Sequence, residues 1–242
     1  LRTRSLMGVP GRAVTRLLRD GWILRSEIVW EKSCPMPATL GYWSSSPCPG
    51  ADGGPCPGCR DCALGQLIQR TSWRPASSHE PVFLLAKQHP YFMQRPSALV
   101  RRLIGGSEEG FVSSVWCGPF HASRLGHGAV MQPALAAACV LLGSPESACA
   151  RCGAPRLRAE VEIPTCACGG GKTAALVVDP FSGPGTTAGA AVALGRQFAG
   201  CELVEQTAAL TPERAAEVRE FLRLREADAR AAPVPRAQQS LF

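Results

Sequence analysis

Val178-Asp179-Pro180-Phe181-Ser182-Gly183-Pro184-Gly185-Thr186-Thr187 is the stretch on which the fold turns. Ala174 to Val178 is an apolar run that reads as a buried strand ending at Asp179. Gly183 and Gly185 form a turn, and Thr186 to Leu194 reads as the helix it opens. Gln197 to Leu203 reads as a second strand, with Glu202 at its end, 19 residues past Gly183. A strand–turn–helix–strand unit belongs to an α/β sheet. Glycines let the backbone come close to a ligand, and a helix N-terminus offers unpaired N–H groups. A carboxylate after the second strand can accept both hydroxyls of an adenosine ribose. Three readings stay open on these residues. The unit can be a structural turn, or a dinucleotide fingerprint, since Gly183 to Ala188 satisfies G-x-G-x-x-G/A. Against the fingerprint, little chain follows in which to build a second mononucleotide half. The third reading is S-adenosylmethionine (AdoMet), which has an adenosine but no phosphate.

Working outward, Pro133 to Leu142 is a buried helix by composition, and Thr211-Pro212 opens a final helix with Ala215, Val218, Phe221 and Leu222 inward. Toward the start, Val14, Leu17 and Leu18 mark an amphipathic helix over 10–20, stopped by Asp20-Gly21. Trp22, Leu24, Ser26, Ile28 and Trp30 alternate onto one face of a strand, and Pro81 to Ala86 is a second, buried strand. Residues 94–128 read as irregular, with a few helical turns. Gly169-Gly170-Gly171-Lys172-Thr173 echoes a phosphate loop, but it leads into a strand and presents no helix N-terminus.

The 242 residues suffice for a sizeable core, and a charged fraction of 19% argues against wholesale disorder. No run of some 20 uncharged apolar residues exists, so no membrane-spanning helix is expected. The arginine-bearing first 19 residues do not read as a secretory signal, and a cytoplasmic location is expected. Residues 1–130 hold fifteen Lys+Arg against eight Asp+Glu, whereas residues 131–242 balance at eleven each. The basic excess of the first half is the pattern expected of a face toward a polyanion such as double-stranded DNA, as well as of an ordinary solvated surface.

Twelve cysteines are many for a chain without a secretory signal, and they cluster. Cys149-x2-Cys152 and, thirteen residues on, Cys166-x-Cys168 approximate a zinc ribbon, in which two knuckles bring four thiolates to one ion. Cys48, Cys56, Cys59 and Cys62 form a second candidate metal set inside a Cys-, Pro- and Gly-rich insert over 34–72. Cys34, Cys117, Cys139 and Cys201 stand alone and read as core fillers.

Asp179-Pro180-Phe181-Ser182-Gly183-Pro184-Gly185-Thr186-Thr187 resembles the D-P-F-x-G-x-G-T-T cofactor loop of DNA methyltransferases acting on exocyclic amines, adenine-N6 or cytosine-N4. Gly8-Val9-Pro10 and Asp20-Gly21-Trp22-Ile23-Leu24-Arg25-Ser26-Glu27-Ile28-Val29-Trp30 are similar to the family's G-I-P and D-G-W-x-L-R-x-x-I-x-W. Cys34-Pro35-Met36-Pro37 resembles N-P-M-P. Arg74-Pro75 and His79-Glu80-Pro81-Val82-Phe83-Leu84-Leu85-Ala86-Lys87, followed by Tyr91-Phe92, resemble R-P, H-E-Y-I-F-L-L-x-K and Y-F. The order of these motifs resembles the permuted subgroup, whose catalytic half precedes the cofactor loop.

The resemblance implies a Rossmann-like AdoMet-dependent methyltransferase sheet, seven-stranded in the family and incomplete here, with one or two zinc-ribbon-like inserts. It implies AdoMet contacts from Asp179, Phe181, Gly183, Gly185, Thr186, Thr187 and Glu202. It adds His127, in a His127-Gly128-Ala129-Val130-Met131-Gln132-Pro133-Ala134-Leu135 stretch that departs from the family's H-F-A-x-F-P-x-x-L. Residues 1–130 would be the DNA-facing catalytic half, 131–230 the AdoMet half with a Cys-rich insert over 149–170, and 231–242 a tail. The family's chemistry needs an Asp/Asn/Ser-Pro-Pro-aromatic tetrapeptide that holds the target amine and stacks on the flipped base. No Pro-Pro pair occurs in the sequence, and no catalytic residue is assigned. In the permuted subgroup the tetrapeptide lies upstream of the D-G-W stretch, so the chain is expected to be an N-terminally truncated methyltransferase, inactive alone. The alternative is a non-catalytic, zinc-bearing DNA-binding module. Whether a restriction endonuclease partners it stays open.

Overall fold

Helix α1, Val9–Arg19, starts with Pro10 in its first turn, where the missing N–H costs nothing. It ends where the Asp20 N–H reaches back to the Arg16 and Leu17 carbonyls and Gly21 turns the chain at φ 86°. The computed structural model describes residues 8–36, 77–106, 112–125, 130–158 and 162–231. Of the expected inner face of α1 only Val14 is buried, and Leu18 is exposed.

Strands β1, Ile23–Met36, and β2, Ser77–Ala86, pair antiparallel, with Ile23 opposite Ala86 and Trp30 opposite Glu80. This register brings the Lys87 ammonium 4.2 Å from the Trp22 ring centroid. A register shift between Leu24 and Ser26 breaks the expected alternation, so Leu24 is exposed while Ile28 and Trp30 are buried. The expected insert over 34–72 falls largely outside the described residues, as do Cys48, Cys56, Cys59 and Cys62.

Helix α2, Ala98–Leu103, is capped by the Ser97 hydroxyl, which accepts from the Val100 N–H. Strand β3, Val115–Trp116, adds to β1 in parallel and completes a sheet of order β2-β1-β3. Helix α3, Pro133–Gly143, is apolar nearly all round and buried accordingly. Then come four short strands: β4, Ser147–Cys149; β5, Arg156–Arg158; β6, Glu162–Pro164; and β7, Lys172–Ala174. Strand β4 pairs antiparallel with β7, and β5 with β6.

Strand β8, Leu176–Asp179, leads to helix α4, Thr186–Ala193, and to strand β9, Gln197–Gly200, which pairs with β8 in parallel. This β-α-β unit is the Rossmann-like element expected from the glycine stretch. The expected strand from Ala174 changes partners at Ala175: β7 pairs with β4, whereas β8 pairs with β9. The described strands do not join into one seven-stranded sheet. Among them β8 pairs only with β9, and Leu176 and Val178 are exposed. The second strand also ends earlier than expected, because Gly200 pairs with Asp179 and β8 runs out there.

A short helix α5, Glu205–Ala208, precedes the long helix α6, Thr211–Ala231. One buried cluster runs from Ile28, Trp30 and Trp116 through α2 and α3 to Ala190 of α4 and Val218, Phe221 and Leu222 of α6. Each of the last three contributes roughly 1.5–3 kcal/mol if fully transferred from water. Helices α4 and α6 approach closely at Gly189, where a Cβ would lie 2.9 Å from Ala215 Cα and Val218 Cβ. No helix among the described residues is long and apolar enough to cross a membrane.

Candidate functional site

The turn between β8 and α4 is held by a lattice of short hydrogen bonds. Asp179 Oδ1 accepts from the Phe181 N–H at 3.0 Å, and the Cys201 N–H donates to the Asp179 carbonyl at 3.1 Å. The Ser182 N–H and hydroxyl both donate to the Cys201 carbonyl, at 2.9 and 3.0 Å. Glu202, just past β9, uses both carboxylate oxygens: Oε2 accepts from the Gly183 N–H and Oε1 from the Val204 N–H, each at 2.9 Å. Gly183 and Glu202, 19 residues apart in sequence, therefore meet directly. Each carboxylate oxygen keeps lone-pair capacity for a further donor.

The two glycines do different work. Gly183 adopts φ 53°, and a Cβ there would meet no atom within 4 Å, so the space beside it is open. Gly185 adopts φ 92°, and a Cβ would come within 2.6 Å of Thr211 Cγ2. Its requirement is packing against α6 as well as dihedral freedom. Above the turn, Phe181 is 88% exposed and Leu203 is fully exposed, two large apolar side chains left in water on either side of the β8–β9 ends.

Thr186 and Thr187 open α4. Thr187 is half-buried, but Thr186 is buried and accepts from Arg214 Nε at 3.0 Å. Thr186 is thus engaged from within the fold. Arg214, on α6, is 0% exposed; its Nη1 donates to Glu217 Oε2 at 2.7 Å and its Nη2 to the Met131 carbonyl at 2.8 Å. Glu217 also accepts from the Ser123 hydroxyl and the Arg124 N–H. Burial alone would raise the Glu217 carboxyl, but the Arg214 guanidinium, the Arg124 N–H and the Ser123 hydroxyl outweigh it and hold it below the usual range. His121, edge-on to Phe221, is pushed down by burial and by the Arg214 charge. This network ties α4, α6 and the stretches around 123 and 131 together. Sequence reasoning missed it, although Arg214 sits on the same helical face as Val218 and Phe221, four and seven residues on. His127 lies outside the described residues.

Cys149, Cys152, Cys166 and Cys168 converge, with all four sulfurs within 4.8 Å of one another. Cys149 is held down to about 6, first by the Cys152 N–H and then by the Arg151 N–H; Cys168 is pushed up to about 12, chiefly by its hydrogen bond with Cys149. Of the solitary cysteines, Cys117, Cys139 and Cys201 are exposed rather than core-filling, and the Cys34 side chain lies outside the description. Cys139 lies on the mostly buried α3, where burial still pushes its thiol up to about 11, and Cys201 directly follows β9.

A family model for DNA methylases matches residues 9–213. The Type II methyltransferase M.SmaI of Serratia marcescens is 30% identical over 217 residues, covering 88% of this chain and 53% of that protein. The Type II methyltransferase M.Cfr9I of Citrobacter freundii is 26% identical over 204 residues, covering 84% and 48%. The chain thus spans about half the length of the curated relatives it matches. Among solved structures, the cytosine-N4-specific PvuII DNA methyltransferase superposes with a TM-score of 0.52 at 12% identity, over 93% of this chain and 66% of that one. That likeness concerns the fold.

Proposed function

The chain belongs to the DNA methylase family, the DNA amino-methyltransferases, and we propose that its β8–α4–β9 unit binds AdoMet for methyl transfer to an exocyclic amine of adenine or cytosine in double-stranded DNA. The observation that carries this reading is the meeting of Glu202 with Gly183 beside open space. Glu202 accepts the two ribose hydroxyls with its remaining lone pairs, while its backbone bonds fix its orientation in advance. Phe181 and Leu203 offer apolar surface to a flat purine, which would remove both from water. Asp179 shapes the turn through the Phe181 N–H, Gly183 and Gly185 allow close approach, and Thr187 lies at the start of α4. His127 is the remaining contact in this proposal. The cofactor, when bound, supplies a methyl group on a positively charged sulfur.

DNA would meet the basic half. Arg12, Arg16 and Arg19 are exposed along α1, beside a cleft they line with Gly8, Gly11 and Thr15. Such guanidiniums suit phosphate contacts. The relatives' names carry the designation Type II, and we place the protein on the modification side of a restriction–modification pair.

The test is calorimetric titration of the protein with AdoMet. Binding is expected, and Glu202→Ala should weaken it roughly ten- to hundredfold, about 1.5–3 kcal/mol, because a charged acceptor is lost. Glu202→Gln keeps an acceptor for the Gly183 N–H, so it should fold like the parent and still bind more weakly. Unchanged affinity in a folded Glu202→Ala protein overturns the assignment. Absence of AdoMet binding alongside retained DNA binding favours the zinc-bearing DNA-binding module instead.

A further inference from the structure

The loop between α3 and β8 carries a chemistry that methyl transfer does not use. We propose that Cys149, Cys152, Cys166 and Cys168 form a closed, structural zinc site at the tip of the β4–β7 ladder.

The sulfurs have the spacing of a mononuclear site. Cys149 Sγ lies 3.2 Å from Cys168 Sγ, and Cys168 Sγ lies 3.5 Å from both Cys166 Sγ and Cys152 Sγ. A disulfide needs about 2.05 Å. A tetrahedral zinc with Zn–S near 2.3 Å has sulfur–sulfur edges of about 3.8 Å. Two of these edges fall about 0.3 Å and the third about 0.6 Å short of that figure, and an expansion of that size admits the ion. Four sulfur ligands leave no position for water, which makes the site structural.

The backbone is built to aim these side chains. One pair sits on the turn leaving β4 and the other on the turn entering β7, so the ladder register, Cys149 opposite Lys172, brings the two turns together. Each pair is followed at once by a left-handed glycine, Gly153 at φ 70° and Gly169 at φ 64°. These residues reverse the chain so that both sulfurs of a pair face one point. Gly170 has no room for a side chain, since a Cβ would lie 2.5 Å from Cys149 Sγ and 2.7 Å from Arg151 Cβ. The Gly153 N–H donates to the Cys149 carbonyl and closes the first turn, and the Ala150 N–H donates to the Gly171 carbonyl and ties that turn to the second.

Among its described residues the segment has little apolar core of its own. Beyond the cysteines the β5–β6 hairpin exposes Leu157 and Ile163 to about half their area, 46% and 50%. An insert with so little core needs a cross-link, and a metal supplies one. The ion would fix the tip, while the base of the ladder hands the chain from α3 to β8. This assignment does not rest on AdoMet binding.

Zinc and iron are to be measured by elemental analysis in the protein purified under reducing conditions, for the parent and for the double variant Cys152→Ser, Cys166→Ser. The variant should hold one zinc fewer per chain; the difference is the readout because Cys48 to Cys62 can carry metal of their own. Equal zinc in the two proteins, or iron in place of zinc, overturns the proposal. In case the variant does not fold, the parent itself is alkylated and mapped by mass spectrometry before and after a chelator. Protection of all four cysteines that disappears with the chelator supports the site. Equal alkylation before and after removes it.

Discussion

The 242-residue chain, supplied with AdoMet and duplex DNA, is expected to incorporate no methyl group into DNA while still binding AdoMet. The reason lies in what the acceptor requires. An exocyclic amine is a poor nucleophile, because its lone pair is delocalised into the ring. In the resembled family an Asp/Asn/Ser-Pro-Pro-aromatic tetrapeptide draws the amine out of conjugation and stacks on the flipped base. No Pro-Pro pair exists in the sequence. His89-Pro90-Tyr91-Phe92 has the wrong first residue and follows β2, where the family has an ordinary Tyr-Phe. The groups gathered at Gly183 and Glu202 are those proposed to hold the cofactor's nucleoside, and orienting an acceptor amine is not assigned to any of them. Loss of positioned hydrogen-bond acceptors and of a near-attack geometry costs factors of roughly 10²–10³ or more. Transfer should therefore fall below detection, while AdoMet affinity, on the proposed assignment to the β8–α4–β9 unit, should stay. Tritiated methyl incorporation above a heat-denatured control would sink this expectation.

Legibility in the sequence followed the range of the interactions. Helix α3 and helix α6 lie close to where composition and the Thr211-Pro212 start put them, because burial of an apolar face is written locally. The strand–turn–helix–strand order around the glycine turn was legible as well, whereas the bond between the Gly183 N–H and Glu202 was not, because it depends on how the strand ends come together. Leu24 was not: the register shift beside Ser26 is a property of the β1–β2 pair, and period-two reading of one strand contains no trace of it. The change of partner at Ala175 was hidden for the same reason, as an apolar run does not say which neighbour it pairs with. The four cysteines were identified by spacing, and their convergence depends on a ladder too short to be seen in the sequence. Arg214 was passed over because arginine on a helix usually reads as surface.

Replacement of Arg214 by alanine is expected to cost about 3 kcal/mol of folding stability. The side chain is fully buried and bonds to three partners that no other residue could serve together: the Thr186 hydroxyl, the Glu217 carboxylate and the Met131 carbonyl. Removal leaves Glu217 without its cation and two polar groups without a donor. Breaking one side of a buried ion pair costs roughly 3–5 kcal/mol. Glu217 keeps the Arg124 N–H and the Ser123 hydroxyl and retains some exposure, which places the figure at the lower end. Arg214→Lys keeps the charge, but a single ammonium cannot span the three acceptors, so about half the loss should remain. The double variant Arg214→Met, Glu217→Gln removes both charges and should recover part of what Arg214→Ala loses. The network also gives stability a dependence on acid. Because the Glu217 carboxyl is held below its unfolded value, about 4.3, its contribution is complete above that pH and is lost as pH falls through the lower folded value. Urea unfolding of the parent and of Glu217→Gln should therefore differ most near neutrality and converge in acid. Identical midpoints for parent and Arg214→Ala at neutral pH would refute the anchoring role, and a parent–Gln difference that grows in acid would reverse the sign assigned to Glu217.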